Sequence, residues 1–313
     1  MKSVSELTDF YYKNLFPTLE ILEKDRKQLR SKIIVMAIFL TIFTIFIATF
    51  LVDYINFIIF AYIAIGGILY KFLLKDYTKE FKQKIIKPLI QAIDSKLRYS
   101  ESLHVAQHIF DKSNLFSSPD RFSGNDFVKG KIEDINIEFS DVHAQKKHKD
   151  SKGRTSYSTI FRGLFIVSEF NKNFHGQTVV LPDMAQSTFG SLIGNWLQSK
   201  NMARDELVKM DNPEFEKEFV VYSTNQVEAR YILSHSLMKK LLRYKKKSKH
   251  PIHISFIGSK IHMAIDYDKD LFEPTVFSSL LDYKVAKEYV QTLHLAIGIV
   301  QELKLNEKLW SKI

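Results

Sequence analysis

The chain has no cysteine, so it can form neither a disulfide nor a thiolate ligand set, which fits a reducing compartment. It also lacks a glycine-rich phosphate loop. Gly163, Gly176, Gly190 and Gly194 stand apart, without the lysine such a loop needs. No HExxH occurs, and Gly190-Ser191-Leu192-Ile193-Gly194 lacks the serine-centred spacing of a nucleophile elbow. These absences remove the common signatures of nucleotide, zinc-hydrolase and serine-hydrolase chemistry. They leave no catalytic, cofactor-binding or metal-ligating residue to assign.

What the chain does hold is apolar length. Residues Ile33 to Val52 read IIVMAIFLTIFTIFIATFLV without a charge, and Tyr54 to Leu74 follow with Lys71 alone near the end. Each run spans about 30 Å of hydrocarbon at about 1.5 Å per helical residue. The short polar step from Asp53 to Asn56 makes the pair a transmembrane helical hairpin with a tight turn. Two long helices buried in a protein core are the alternative, which apolarity on every face disfavours. The run begins too late and is too long for a cleaved leader. The mean hydropathy of −0.12 averages this hairpin with charged flanks.

Orientation follows from the basic residues beside the runs. Lys24, Arg26, Lys27, Arg30 and Lys32 precede the first; Lys71, Lys75, Lys79, Lys82, Lys84 and Lys87 follow the second, and the turn has none. Both termini are therefore expected in the cytoplasm.

Around the hairpin the pattern predicts an α+β protein in four parts. Residues 1–30 form an amphipathic helix that Pro17 kinks or divides, 31–75 the transmembrane hairpin, 76–121 a helical stalk bent near Pro88, and 122–313 a cytoplasmic antiparallel-sheet domain packed with helices. Segments DFVKGKI, INIEFSDVH, STIFRGLFIVSEF and QTVVLPD read as four strands of one meander. A helix from Ser187 to Gln198, a short strand at ELVKM, a capped helix after Asn225, a hairpin turning at Gly258 and Ser259, and a helix from Asp282 to Leu303 complete it.

The net charge of +10 concentrates in two places. Lys146, Lys147, Lys149, Lys152 and Arg154 crowd what reads as a polar loop between the second and third strands. Lys239, Lys240, Arg243, Lys245, Lys246, Lys247 and Lys249 lie along and beyond one helix. Solvated surface and charge favoured by a helix C-terminus are the plain explanations. The functional one is contact with an acidic protein partner or anionic lipid. Nucleic acid lacks support, because no zinc spacing, base-stacking signature or recognition helix is present.

Histidine spacing suggests little. His104 and His108 have a four-residue interval without a third ligand, and His250, His253 and His262 read as sheet histidines. A hydrolase or transferase at the bilayer surface would need Asp141, His143, Glu169 and His175 to converge. A channel would need many copies of a hairpin that offers no internal charge except Lys71.

Phe161 to Asp183 and Glu218 to Met238, with SNLF from Ser113, RFSGNDFVKGKI from Arg121 and DLFEP from Asp270 to Pro274, resemble a bacterial family known as domain of unknown function 3137. The resemblance implies two spans followed by a cytoplasmic domain, no established activity and no catalytic residues. It also implies a LemA-type membrane protein as partner, by association.

Overall fold

A computed structural model describes residues 3–169, 173–183 and 206–303, with the side chains of 299–303 left aside. The predicted helix from Ser187 to Gln198 lies outside these residues. The chain divides into two compact units. One is built from residues up to Ile93 together with Phe272–Gln291, the other from Asp94–Leu271 together with residues from Thr292 on.

In the first unit, α1 (Val4–Asn14) opens with a capping box. The Ser3 hydroxyl accepts the Glu6 amide, and the Glu6 carboxylate accepts the Ser3 amide. Pro17 divides rather than kinks: α1 stops, and α2 (Phe16–Phe50) starts with the proline in its first turn, where a missing N–H costs nothing. A three-residue 3-10 turn, Val52–Tyr54, leads into α3 (Ile55–Phe81). Both helices are long and apolar enough to cross a membrane, and almost none of that apolar length is buried within the protein. That removes the alternative of a buried helix pair. Thr41 and Tyr62 meet across the hairpin at 3.1 Å between their oxygens.

A π turn, Lys82–Ile86, precedes α4 (Lys87–Ile93). Pro88 would drive its ring into the carbonyl of Lys84 in a regular helix, and the widened turn lets that carbonyl swing clear. The pattern predicts one helical stalk over 76–121; α4 ends at Ile93, a short helix follows only at Gln107–Lys112, and residues from Asp94 cluster with the sheet.

The same unit holds a strap from Glu273 to Leu281, bound mainly through its backbone. Tyr11, Tyr77 and Tyr289 donate their hydroxyls to the carbonyls of Leu280, Thr275 and Glu273 at 3.2, 3.3 and 2.6 Å. Burial pushes all three phenols up. Arg26 donates to the Val276 carbonyl at 2.5 Å, and Glu23 accepts the Leu280 amide at 3.0 Å. Leu7, Leu19, Leu22, Phe81, Ile85, Ile86 and Leu89 are buried around them.

The second unit is one antiparallel sheet, ordered β1-β2-β3-β4-β9-β8-β5-β7-β6. Its strands are β1 (Arg98–Ser100), β2 (Arg121–Ile132), β3 (Ile135–Lys149), β4 (Thr155–Glu169), β5 (Gln177–Pro182), β6 (Glu206–Leu207), β7 (Phe219–Ser223), β8 (Ile252–Ile257) and β9 (Lys260–Asp266). The first three predicted strands form the expected meander. The fourth does not join it: the β8–β9 hairpin inserts between β4 and β5. Hairpin pairing of β8 with β9 is local, and it presents two edges that β4 and β5 then take.

Among the described residues five helices accompany the sheet: α5 (Gln107–Lys112), α6 (Pro213–Glu216), α7 (Gln226–Ile232), α8 (His235–Ser248) and α9 (Tyr283–Leu303), the last dividing between the two units. Asn225 caps α7 through the Glu228 amide, as its spacing predicts, and Ser234 separately caps α8. One sheet face buries Phe161, Phe165, Val179 and Ala264 under Phe110 and Val105. Leu164 and Ile166, on the other face of β4, are buried too, so β4 is central there.

Candidate binding surface

β3 and β4 run past the rest of the sheet as a two-stranded ribbon. The predicted polar loop is therefore a correction: Lys146, Lys147 and Lys149 sit on β3, and only Lys152 and Arg154 belong to the turn. Ladder pairing continues through Gln145 with Thr159, Lys147 with Tyr157 and Lys149 with Thr155. The register shifts once, because Ala144 faces Phe161 and Gln145 faces Thr159, leaving Ile160 as the extra residue of a bulge. Such a bulge bends and twists its strand, here where the ribbon leaves the sheet.

Asp150 builds the turn. Its carboxylate accepts the amides of Lys152 and Arg154 at 2.9 and 2.8 Å and the Arg154 Nε at 2.7 Å. These bonds, the Arg154 side chain first, hold its carboxyl below the usual range. Gly153 takes φ +77°, open to glycine without strain. Lys146 is engaged as well, donating to the Ser118 carbonyl at 2.9 Å and lying 3.4 Å from the Asp120 carboxylate.

Two of the five predicted ribbon cations are thus neutralised. The other three, Lys147, Lys149 and Lys152, are exposed; Lys147 shares the Asp120 carboxylate, which accepts its backbone amide at 2.8 Å and is held below its usual range by that bond and partly by its charge, whereas Lys149 and Lys152 form no salt bridge among the described residues. Register puts Lys147 and Lys149 on the same face as Tyr157 and, across β3, Arg121. The Arg121 guanidinium lies 4.0 Å above the Tyr157 ring, a cation–π contact. Arg121 and Tyr157 are missed by a reading that counts only clustered lysines. The alternation Thr155-Ser156-Tyr157-Ser158-Thr159, rich in β-prone residues, was the available signal.

The helical cations are arranged differently. Lys245 pairs with Glu218. Lys245, Lys246 and Lys249 line an open cavity of about 760 Å³ that they share with Asp183, Glu214 and Glu218. Lys239 and Arg243 are exposed, while Lys240 is half-buried. Lys247 ends the helix with Lys245 and Lys246 in its last turn, where positive charge offsets the macrodipole. At the C-terminal end of α8, then, cations and carboxylates share one surface, which is mixed in sign.

The four residues required for an enzyme do not come together. Asp141 accepts the Leu271 amide at 2.6 Å, and His143 Nε2 lies 3.0 Å from the Thr159 hydroxyl. Glu169 accepts the Asn136 side-chain amide at 2.8 Å, and strand alternation puts it on the face opposite Asp141. His175 gives its backbone amide to Glu228 at 3.0 Å. His108 lies in α5 while His104 precedes it, so their interval is not one helical turn. No group of three metal-capable side chains occurs among the described residues.

Fold and surface thus define a class: an α+β sheet domain with a basic ribbon, joined to two long apolar helices. The model of the family described as Protein of unknown function (DUF3137) matches residues 159–305, from within β4 into the C-terminal residues, and the resemblance read from the sequence is shown over that stretch. No curated protein matches the chain. The crystal structure of the mycobacterial trehalose monomycolate transport factor A, TtfA, aligns at 11% identity over 70% of this chain and 94% of that one. Its TM-score is 0.36, too low to carry an argument.

Proposed function

We propose that this protein is a membrane-anchored binding module. Its apolar hairpin sits in a bacterial inner membrane with both termini in the cytoplasm, and its sheet domain captures an acidic protein partner through the ribbon. The observation that carries this reading is the cluster Lys147, Lys149 and Lys152, exposed on a ribbon that buries almost nothing, with Lys149 and Lys152 outside any salt bridge among the described residues. Unpaired like charges repel one another, and an acidic partner relieves that repulsion while steering association.

A protein suits the ribbon better than a lipid surface does. The turn from Asp150 to Arg154 has no apolar side chain to insert. The LemA-type membrane protein that the resemblance implies is the first candidate.

Crosslinking in intact membranes tests the proposal. Replacing Lys147, Lys149 and Lys152 by Gln should abolish the main adduct, while replacing Lys239, Lys246 and Lys249 should leave it. Equal adducts from both variants would refute the ribbon as the contact. A reporter fused behind Ile313 that is active only outside the bilayer would refute the topology.

A further inference from the structure

Strand edges are chemically sticky, and proteins keep them short, cover them or charge them. Among the described residues the sheet's two outermost strands obey this: β1 has three residues and β6 two. On the ribbon, the β3 side carries Lys146, Lys147 and Lys149. The β4 side is different. β9 pairs with β4 only from Gly163 onward, so Thr155 to Thr159 have no strand paired on their outer side among the described residues. All five are exposed, and none carries a charge.

In an antiparallel pair, every second residue turns both its N–H and its C=O away from the partner strand. Along Thr155–Thr159 those groups face open space among the described residues. The β-prone side chains Thr155, Tyr157 and Thr159 are already held extended by β3, so a docking segment would not have to order this strand. The geometry points to β4 from Thr155 to Thr159 as an acceptor edge for an extended acidic segment, which adds to the ribbon as a third strand on the side of β4 away from β3, with Lys147 and Lys149 one strand further in on the face that holds Tyr157. The inference rests on the reading of the ribbon as the partner surface and supplies its mode of recognition. Backbone bonds give affinity, and the lysine face with Arg121 selects carboxylates at alternate positions of the guest.

The test uses the full chain in nanodiscs and a fluorescein-labelled peptide of about ten residues, a long strand's length, alternating Glu with Val and Thr. Two further peptides of that sequence carry N-methyl groups on alternate backbone amides, one in each register. Methylation removes ladder donors and leaves every charge in place. One methylated peptide should bind at least about tenfold more weakly, and the unmodified peptide should slow amide exchange within 155–159. Equal binding by all three, or none by the unmodified peptide at millimolar concentration, overturns the edge. A K147Q/K149Q/K152Q variant that binds the peptide like the native chain overturns instead the charge reading beneath it. Phosphatidylglycerol vesicles that displace the peptide would assign the ribbon to lipid and overturn both.

Discussion

Arg26 and Glu23 form a two-point ion pair inside the helical unit, with Nε to Oε2 at 2.8 Å and Nη2 to Oε1 at 2.7 Å, both residues nearly inaccessible to water. The pair is completed by the strap: Arg26 also holds a carbonyl and Glu23 an amide. Breaking a buried pair leaves a desolvated charge, which costs about 3–5 kcal/mol. Arg26→Leu should therefore lower the unit's stability by about that amount, read as accelerated amide exchange in 275–281. Replacing both residues with apolar side chains should cost less.

Acid should open the same unit. Burial pushes the Glu23 carboxyl up, but the bonds from Arg26 and the Leu280 amide bring it below its ordinary value. Stability from such a group is present above the unfolded-state pKa, near 4.3, and is lost as pH falls through the lower folded-state value. Thermal unfolding against pH should show this loss in the native chain. It should be smaller for Glu23→Gln.

The sheet should respond at higher pH. Burial lowers His262 and His253 to about 4, and the His262 Nδ1 lies 3.3 Å from the Ser255 hydroxyl. With folded values below the unfolded 6.5, both contribute stability that is lost as pH falls from about 6.5 towards 4. His262→Gln should flatten the melting temperature between pH 7 and 5. An unchanged slope would contradict burial of a neutral ring.

Gly163 takes φ +154° where β4 enters the sheet, and a Cβ there would meet the Ile265 carbonyl oxygen at 2.3 Å. The obstacle is backbone and cannot rotate away. Gly163→Ala should cost about 1–3 kcal/mol and loosen the β4–β9 pairing, seen as lost exchange protection at residues 261–265.

Removing the ribbon should cost little. Joining Gln145 to Thr159 through Asn-Gly deletes only residues with little buried surface, so stability should change by less than about 1 kcal/mol. A large loss would show that the ribbon serves the fold rather than a partner.

The apolar helices, the Asn225 cap and the β8–β9 turn were legible in the sequence, because each is a local pattern: length, one side-chain reach, one glycine. The ribbon was not, since lysines mask the β-prone alternation on the partner strand. The place of β5 was not legible either, because nothing between Glu169 and Gln177 reveals that another hairpin takes the neighbouring edge. Nor could composition show that Arg154 and Lys146 are neutralised while Lys149 is not, which depends on Asp150 and Asp120 being within reach.

The strap has a consequence for biosynthesis. Arg26 and Val276 are 250 positions apart, so the helical unit stays open while the ribosome produces the entire span between them. Loop-closure entropy grows only with the logarithm of length, so the late closure is no great obstacle. Any product ending before Leu280, however, leaves Glu23 without the strap amide that it accepts in the folded unit.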